Sequence, residues 1–246
     1  MQKIEAPRNE VREVAVAALY KQASEQFRIK RRLCELANLP YNPQEETQIL
    51  TLTSLIVEPY VDSLMGVISE EEFLTKMKDV AKESIKTQIE QEQEEPIEGE
   101  EKEKLEQMVT AMMDSLLTYI LPTDSQEKTF RYLQCVFGLA KEKGVAPKDI
   151  FASDELFKEV LRNVYTVEEY QERAAKGSRF LNPETLLDVL LKPVLGSLAK
   201  NEEEAAEMYE ELKEEMQADP EFLKQMEASR NAFSQTMEEE IRRVYG

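Results

Sequence analysis

The sequence predicts an all-α protein, and three observations carry that prediction. Apolar residues recur three or four apart through nearly every long segment. Helix-starting signals recur between those segments, and no window alternates apolar and polar residues as a half-buried strand does. The reading is roughly nine or ten helices in two helical blocks, residues 1–89 and 105–246, joined by an acidic flexible linker at 90–104.

The first helix is expected from Asn9, a good N-cap, to about Asn38. Val11, Ala15, Ala18, Leu19, Ala23, Phe27, Leu33 and Leu36 make its stripe. Its other face holds Arg28, Lys30, Arg31 and Arg32, the one dense basic cluster of the chain. That cluster is small and lacks interleaved aromatics. It therefore reads as a solvated face or a partner for the acidic stretch at 90–104, not as a nucleic-acid site. Leu39-Pro40-Tyr41 breaks the helix, and Asn42-Pro43 with Glu45 starts another over Gln44–Ile68. Ile49, Leu50, Leu52, Leu55, Ile56, Val57, Tyr60, Val61, Leu64 and Val67 make it apolar round much of its girth, so it is expected at the centre of the first block. Pro59 inside it predicts a kink. Ser69-Glu70-Glu71-Glu72 forms a capping box for a third helix ending near Ile89.

Glu90–Lys104 carries eight Glu against two Lys, with Pro96 and Gly99 as breakers. Such a segment has no face to bury, which is why it is read as the linker. Beyond it, Leu105, Met108, Met112, Leu116 and Ile120 form a seam that stops at Pro122. Thr123–Gln126 can cap the next helix, which turns Phe130, Leu133, Val136, Phe137 and Ala140 inward and ends at Gly144. A turn around Pro147 follows, then helices capped by Ser153 and by the Thr166–Glu169 box, the latter expected to stop at Gly177. Asn182-Pro183, Asn201 and Asp219-Pro220 start the last three. Asn182–Leu198 echoes Asn42–Leu64, each a capped apolar helix with a proline midway followed by a capped acidic helix. The prolines are sixteen residues apart in one copy and ten in the other, so repeated helix grammar and a divergent internal repeat both remain readings.

The net charge of −19 is uneven. Residues 1–89 hold 12 Lys and Arg against 14 Asp and Glu, and residues 105–246 hold 17 against 28. A field of that sign repels nucleic acid and anionic lipid and attracts basic partners or cations. It also serves solubility alone. No apolar stretch approaches the ~20 residues that cross a bilayer, and MQKIEAPRNEV lacks the apolar core of a secretory signal. The expectation is a cytoplasmic protein without membrane insertion or direct nucleic-acid contact, with Cys34 and Cys135 as reduced thiols.

No motif names an activity. The chain has no histidine, which removes Ser-His-Asp and Cys-His nucleophile activation, Glu-x-x-His di-iron sites and ordinary zinc hydrolase sites. Glycine-rich phosphate loops and the calcium loop are missing, and no cofactor or metal is expected. Glu168-Glu169-x-x-Glu172 with Glu184 and Asp188 is faintly like the magnesium-holding helices of all-α pyrophosphohydrolases. The second pair is spaced four apart, not three.

The expected function is therefore non-enzymatic: a helical adaptor, assembly factor or scaffold that binds a protein partner through apolar helix grooves. The candidate residues are Leu55, Pro59, Val61 and Leu64, then Val189, Pro193, Leu195 and Leu198, then Phe233, Met237 and Ile241 on the C-terminal helix. The alternative is an acidic regulator occupying a basic or nucleic-acid-binding site on another protein. A magnesium-dependent enzyme comes third.

Overall fold

The computed structural model describes residues 3–92, 99–115, 126–179 and 181–246, and every regular element among them is helical. In chain order these are α1 (Arg8–Ala37), α2 (Gln44–Leu64), α3 (Glu70–Glu92), α4 (Glu100–Ser115), α5 (Gln126–Lys143), α6 (Asp154–Val164), α7 (Val167–Arg179), α8 (Pro183–Leu186), α9 (Lys192–Leu198), α10 (Glu202–Ala218) and α11 (Pro220–Tyr245). A 3₁₀ turn, Pro147–Ala152, precedes α6, and a π turn, Leu187–Leu191, joins α8 to α9.

The boundaries follow local chemistry. Ser69 Oγ accepts from the Glu72 amide at 3.2 Å while Glu72 accepts from the Ser69 amide at 2.7 Å, a complete capping box at α3. Thr166 and Glu169 do the same at α7, at 3.2 and 2.8 Å. Asn182, Asn201 and Asp219 each accept from amides of the turn they open. Asn38 closes α1 in the left-handed region at φ 55, with the Leu39 amide returning to Cys34 at 2.8 Å.

Three expectations are corrected. α1 starts at Arg8, not at an Asn9 cap, with the Pro7 carbonyl accepting from Val11 at 3.0 Å. α2 ends at Leu64 rather than Ile68, because Gly66 takes φ 69 and turns the chain. Gly177 does not stop α7. It lies inside the helix, where a Cβ would stand 2.5 Å from Phe233 Cζ, so the position is small to admit the ring. Pro59 lies inside α2, and the chain before Pro193 widens into the π turn, with the Lys192 amide donating to Leu187 five residues back. The wider turn relieves the proline ring's crowding of the preceding carbonyls. The cap expected at Thr123–Ser125, the stop at Pro122 and the seam residues Leu116 and Ile120 lie outside the described residues. Of the acidic stretch, Glu90–Glu92 closes α3 and Glu100–Lys104 opens α4, while 93–98 lie outside them.

The helices form two compact units, each drawn from non-adjacent stretches of the chain. The first is Met1–Val80, Asp124–Glu172 and Gln235–Gly246, and the second is Ala81–Thr123 and Arg173–Ser234. This grouping differs from consecutive blocks at 1–89 and 105–246. Its physical reason is the first unit's core, whose residues come from both sides of the acidic stretch. Val11, Val14, Ala15 and Ala18 of α1 pack with Val61 and Leu64 of α2, Phe130, Leu133 and Val136 of α5, Ile150, and Val160 and Val164 of α6. All of these side chains are nearly inaccessible. The Ile4 amide bonds the Leu64 carbonyl at 3.0 Å, drawing the N-terminal strap onto this core.

In the second unit, α4 packs on α9 and the π turn, and α10 packs on α9. Leu105 and Val109 of α4 and Leu187 of the π turn are buried there, as are Ser229 and Ala232 of α11. Among the described residues no helix is long and apolar enough to cross a membrane.

Candidate functional site

The residues singled out in the sequence fall on α2, on the π turn and α9, and on α11, in both units. On α2, Val61 and Leu64 are 0% and 1% exposed and belong to the first unit's core, so they present nothing to a partner. Leu55 behaves differently, at 53% exposure. Leu52, Ile56 and Pro59 stand three, one and four residues from it and are half-buried, so one apolar stripe of α2 stays in contact with water. In the second unit Val189 and Leu195 are half-buried, Pro193 is exposed and Leu198 is exposed at 37%. On α11, Phe233, Met237 and Ile241 are all half-buried.

The line of α11 that is buried is a different one. Ser229, Ala232, Thr236, Glu240 and Val244 recur three or four apart, and the hydrophobic seam flanks them. A search for large apolar residues overlooks these small and hydroxyl side chains. Glu240, 5% exposed, is the unexpected member. Its carboxylate accepts from the Arg28 guanidinium of α1 through both oxygens and from Arg243 at 3.2 Å. Arg243 also donates to Glu25 at 2.7 Å and to Asp154 at 3.1 Å. Arg32 makes a two-pronged pair with Glu239, each bond 2.9 Å. Thus α1, α6 and the last turns of α11 are tied by a continuous ionic network within the first unit. Two further bonds join it, from Tyr245 to the Tyr165 carbonyl at 2.6 Å and from Arg162 to the Val244 carbonyl at 3.1 Å.

These pairs answer what the basic face of α1 does. Arg28 and Arg32 meet Glu240 and Glu239, while Lys30 and Arg31 meet Glu45 and Glu46 at the start of α2. The network shifts ionisation as its geometry requires. The hydrogen bond from Arg32 leads the effects that hold the Glu239 carboxyl at about 2. Burial opposes the ionised form of Glu25, but bonds from Lys21 and Arg28 and the charge of Arg243 outweigh it and leave its carboxyl below the ordinary value. The bond to Glu240 raises Arg28 further above its ordinary range.

The carboxylates weighed for magnesium fall in both units, Glu168, Glu169 and Glu172 in the first and Glu184 and Asp188 in the second. Glu169 caps α7 and accepts from Lys128, while Asp188 accepts from the Tyr209 hydroxyl. No group of three or more Cys, Asp or Glu that could hold a metal ion occurs among the described residues. That Asp188 bond leads the effects that push the Tyr209 phenol up to about 12. Cys34 and Cys135 are free thiols, and burial raises the latter's pKa. In the core, Tyr132 is 4% exposed, its hydroxyl has no hydrogen-bond partner among the described residues, and burial raises it well above the ordinary phenol value.

Comparison with known protein families, with curated proteins and with solved structures found no match to this chain.

Proposed function

We propose that the chain is a non-enzymatic interaction protein, an adaptor, assembly factor or scaffold working in the cytoplasm, that engages a protein partner through apolar helix surfaces. The observation that carries this reading is the α2 stripe. One side of α2 supplies Val57, Val61 and Leu64 to the core, while Leu55 stands in water beside half-buried Leu52, Ile56 and Pro59. Covering the exposed half of such a leucine is worth about 1 kcal/mol, enough to matter in a helix-in-groove contact.

A second reading, the acidic regulator, has its own support in α10. Glu202, Glu203, Glu207, Glu210, Glu211, Glu214 and Glu215 are all exposed on that one helix. Affinity capture with the full chain separates the two, run at about 0.15 M and about 1 M salt, because salt screens exposed charge and leaves apolar contact in place. The first reading expects partners that persist at high salt and are lost with Leu55→Glu. Capture that vanishes at high salt and ignores Leu55→Glu moves the conclusion to the acidic regulator.

A further inference from the structure

The second unit contains a seam that its helices do not close among the described residues. α10 is 17 residues long and has no buried residue, and neither has α9, which it packs against. Ala205, Met208, Tyr209, Leu212 and Met216 run along one side of α10, and each remains half-buried. A closed seam of that length brings its central side chains to a few per cent exposure, as Val109 at 1% and Leu187 at 2% show in the same unit.

One edge of this seam is occupied. The Tyr209 hydroxyl bonds Asp188 of the π turn, and the Lys192 ammonium lies 5.2 Å from the centre of the Tyr209 ring. By helical geometry Met208 and Leu212 lie toward the other edge. Glu211 and Glu215 follow them by three residues, one turn along, and Glu207 continues that acidic row at a spacing of four. All three glutamates are exposed.

We infer that this open edge of α10 is the docking site for a basic amphipathic helix of a partner protein, an inference that rests on the proposed reading of the chain as an interaction protein. The apolar length from Ala205 to Met216 spans about 17 Å, room for about three turns of an opposing helix. Methionines at both ends of the Met208–Leu212–Met216 row adapt to varied apolar side chains. The glutamate row supplies the charge that lysines or arginines flanking an apolar face would meet. Nucleic acid and anionic lipid are repelled by the same row. A second copy of this chain is a poor occupant too. Its one dense basic face, on α1, is already engaged by Glu45, Glu46, Glu239 and Glu240.

The test uses the full chain with ¹³C-labelled methionine methyl groups and the leucine–lysine amphipathic peptide LKKLLKLLKKLLKL. The same residues reordered to destroy the apolar face serve as control. The inference expects saturable binding that shifts the Met208 and Met216 methyl resonances. Affinity should fall by about tenfold or more, ~1.4 kcal/mol, for the reordered peptide, for Met208→Gln with Leu212→Gln, and for Glu211→Gln with Glu215→Gln. Unmoved Met208 and Met216 resonances in the unaltered chain overturn it without recourse to any variant. Equal binding of the reordered peptide overturns it as well, since that is charge alone. The broader reading fails separately. Partner capture that depends on Leu55 while the α10 resonances stay still defeats this inference only, whereas capture that vanishes at high salt and ignores Leu55→Glu defeats the proposed function itself.

Discussion

Removing Arg28 should loosen the end of α11 from α1, and the size of the loss can be worked from the network. Glu240 is 5% exposed and holds Arg28 with both oxygens and Arg243 with one. Breaking a fully buried pair by deleting one partner costs ~3–5 kcal/mol, because the remaining charge is left uncompensated. Two features reduce that figure here. The Arg28 side chain is 42% exposed, so water screens its half of the pair, and Arg243 stays in place to serve Glu240. The range for a hydrogen bond to a charged group, ~1.5–3 kcal/mol, is therefore the better expectation for Arg28→Ala. Glu240→Gln keeps the shape and removes the charge. The double variant should cost less than the sum of the two, with a coupling of about 1 kcal/mol or more. Replacing both partners by apolar residues, Arg28→Met with Glu240→Leu, should recover most of the loss. Urea unfolding followed by far-ultraviolet circular dichroism measures all four. A coupling under about 0.3 kcal/mol would show that this pair adds nothing to the docking of α11.

Three further outcomes follow from the same geometry. Tyr132→Phe should be neutral or stabilising, by up to about 1–3 kcal/mol, because it removes a buried hydroxyl that has no partner among the described residues; a thermal melt shifted clearly downward would show that the hydroxyl is satisfied in solution. Gly177→Ala should lower stability by about 1 kcal/mol, since crowding the Phe233 ring costs ~1–3 kcal/mol against a helix-propensity gain of ~1. In a Phe233→Ala background the same change should stabilise, and a loss there refutes the steric reading. Glu239 and Glu25 have folded pKa values below their unfolded ones, so their contribution is fully present above about pH 4.5 and is lost as pH falls through the folded values, toward about 2 for Glu239. Arg32→Ala should return the Glu239 carboxyl toward its ordinary range, read from its side-chain carbon shift, and an unmoved titration would remove Arg32 as the cause.

What the sequence by itself determined is what short-range physics determines. The capping boxes at Ser69 and Thr166 and the caps at Asn182, Asn201 and Asp219 were legible because donor and acceptor lie within three residues of each other. The all-helical class was legible for a related reason, since a helix's apolar period repeats within one turn. The apolar stripe around Leu55 was visible too, but which of its neighbours turn outward was not. Leu55 and Val61 are both large apolar residues in the sequence and differ in what packs on them. Tertiary structure alone decided the rest. Arg28 and Glu240 are 212 residues apart, and Arg32 and Glu239 are 207 apart. Many glutamates could have met those arginines, and only the docking of α11 on α1 selects the pair. The burial of Glu240 and the small Gly177 beneath Phe233 follow the same logic. Each is a residue whose role is set by a neighbour from another helix, and a side chain's own chemistry cannot specify that neighbour.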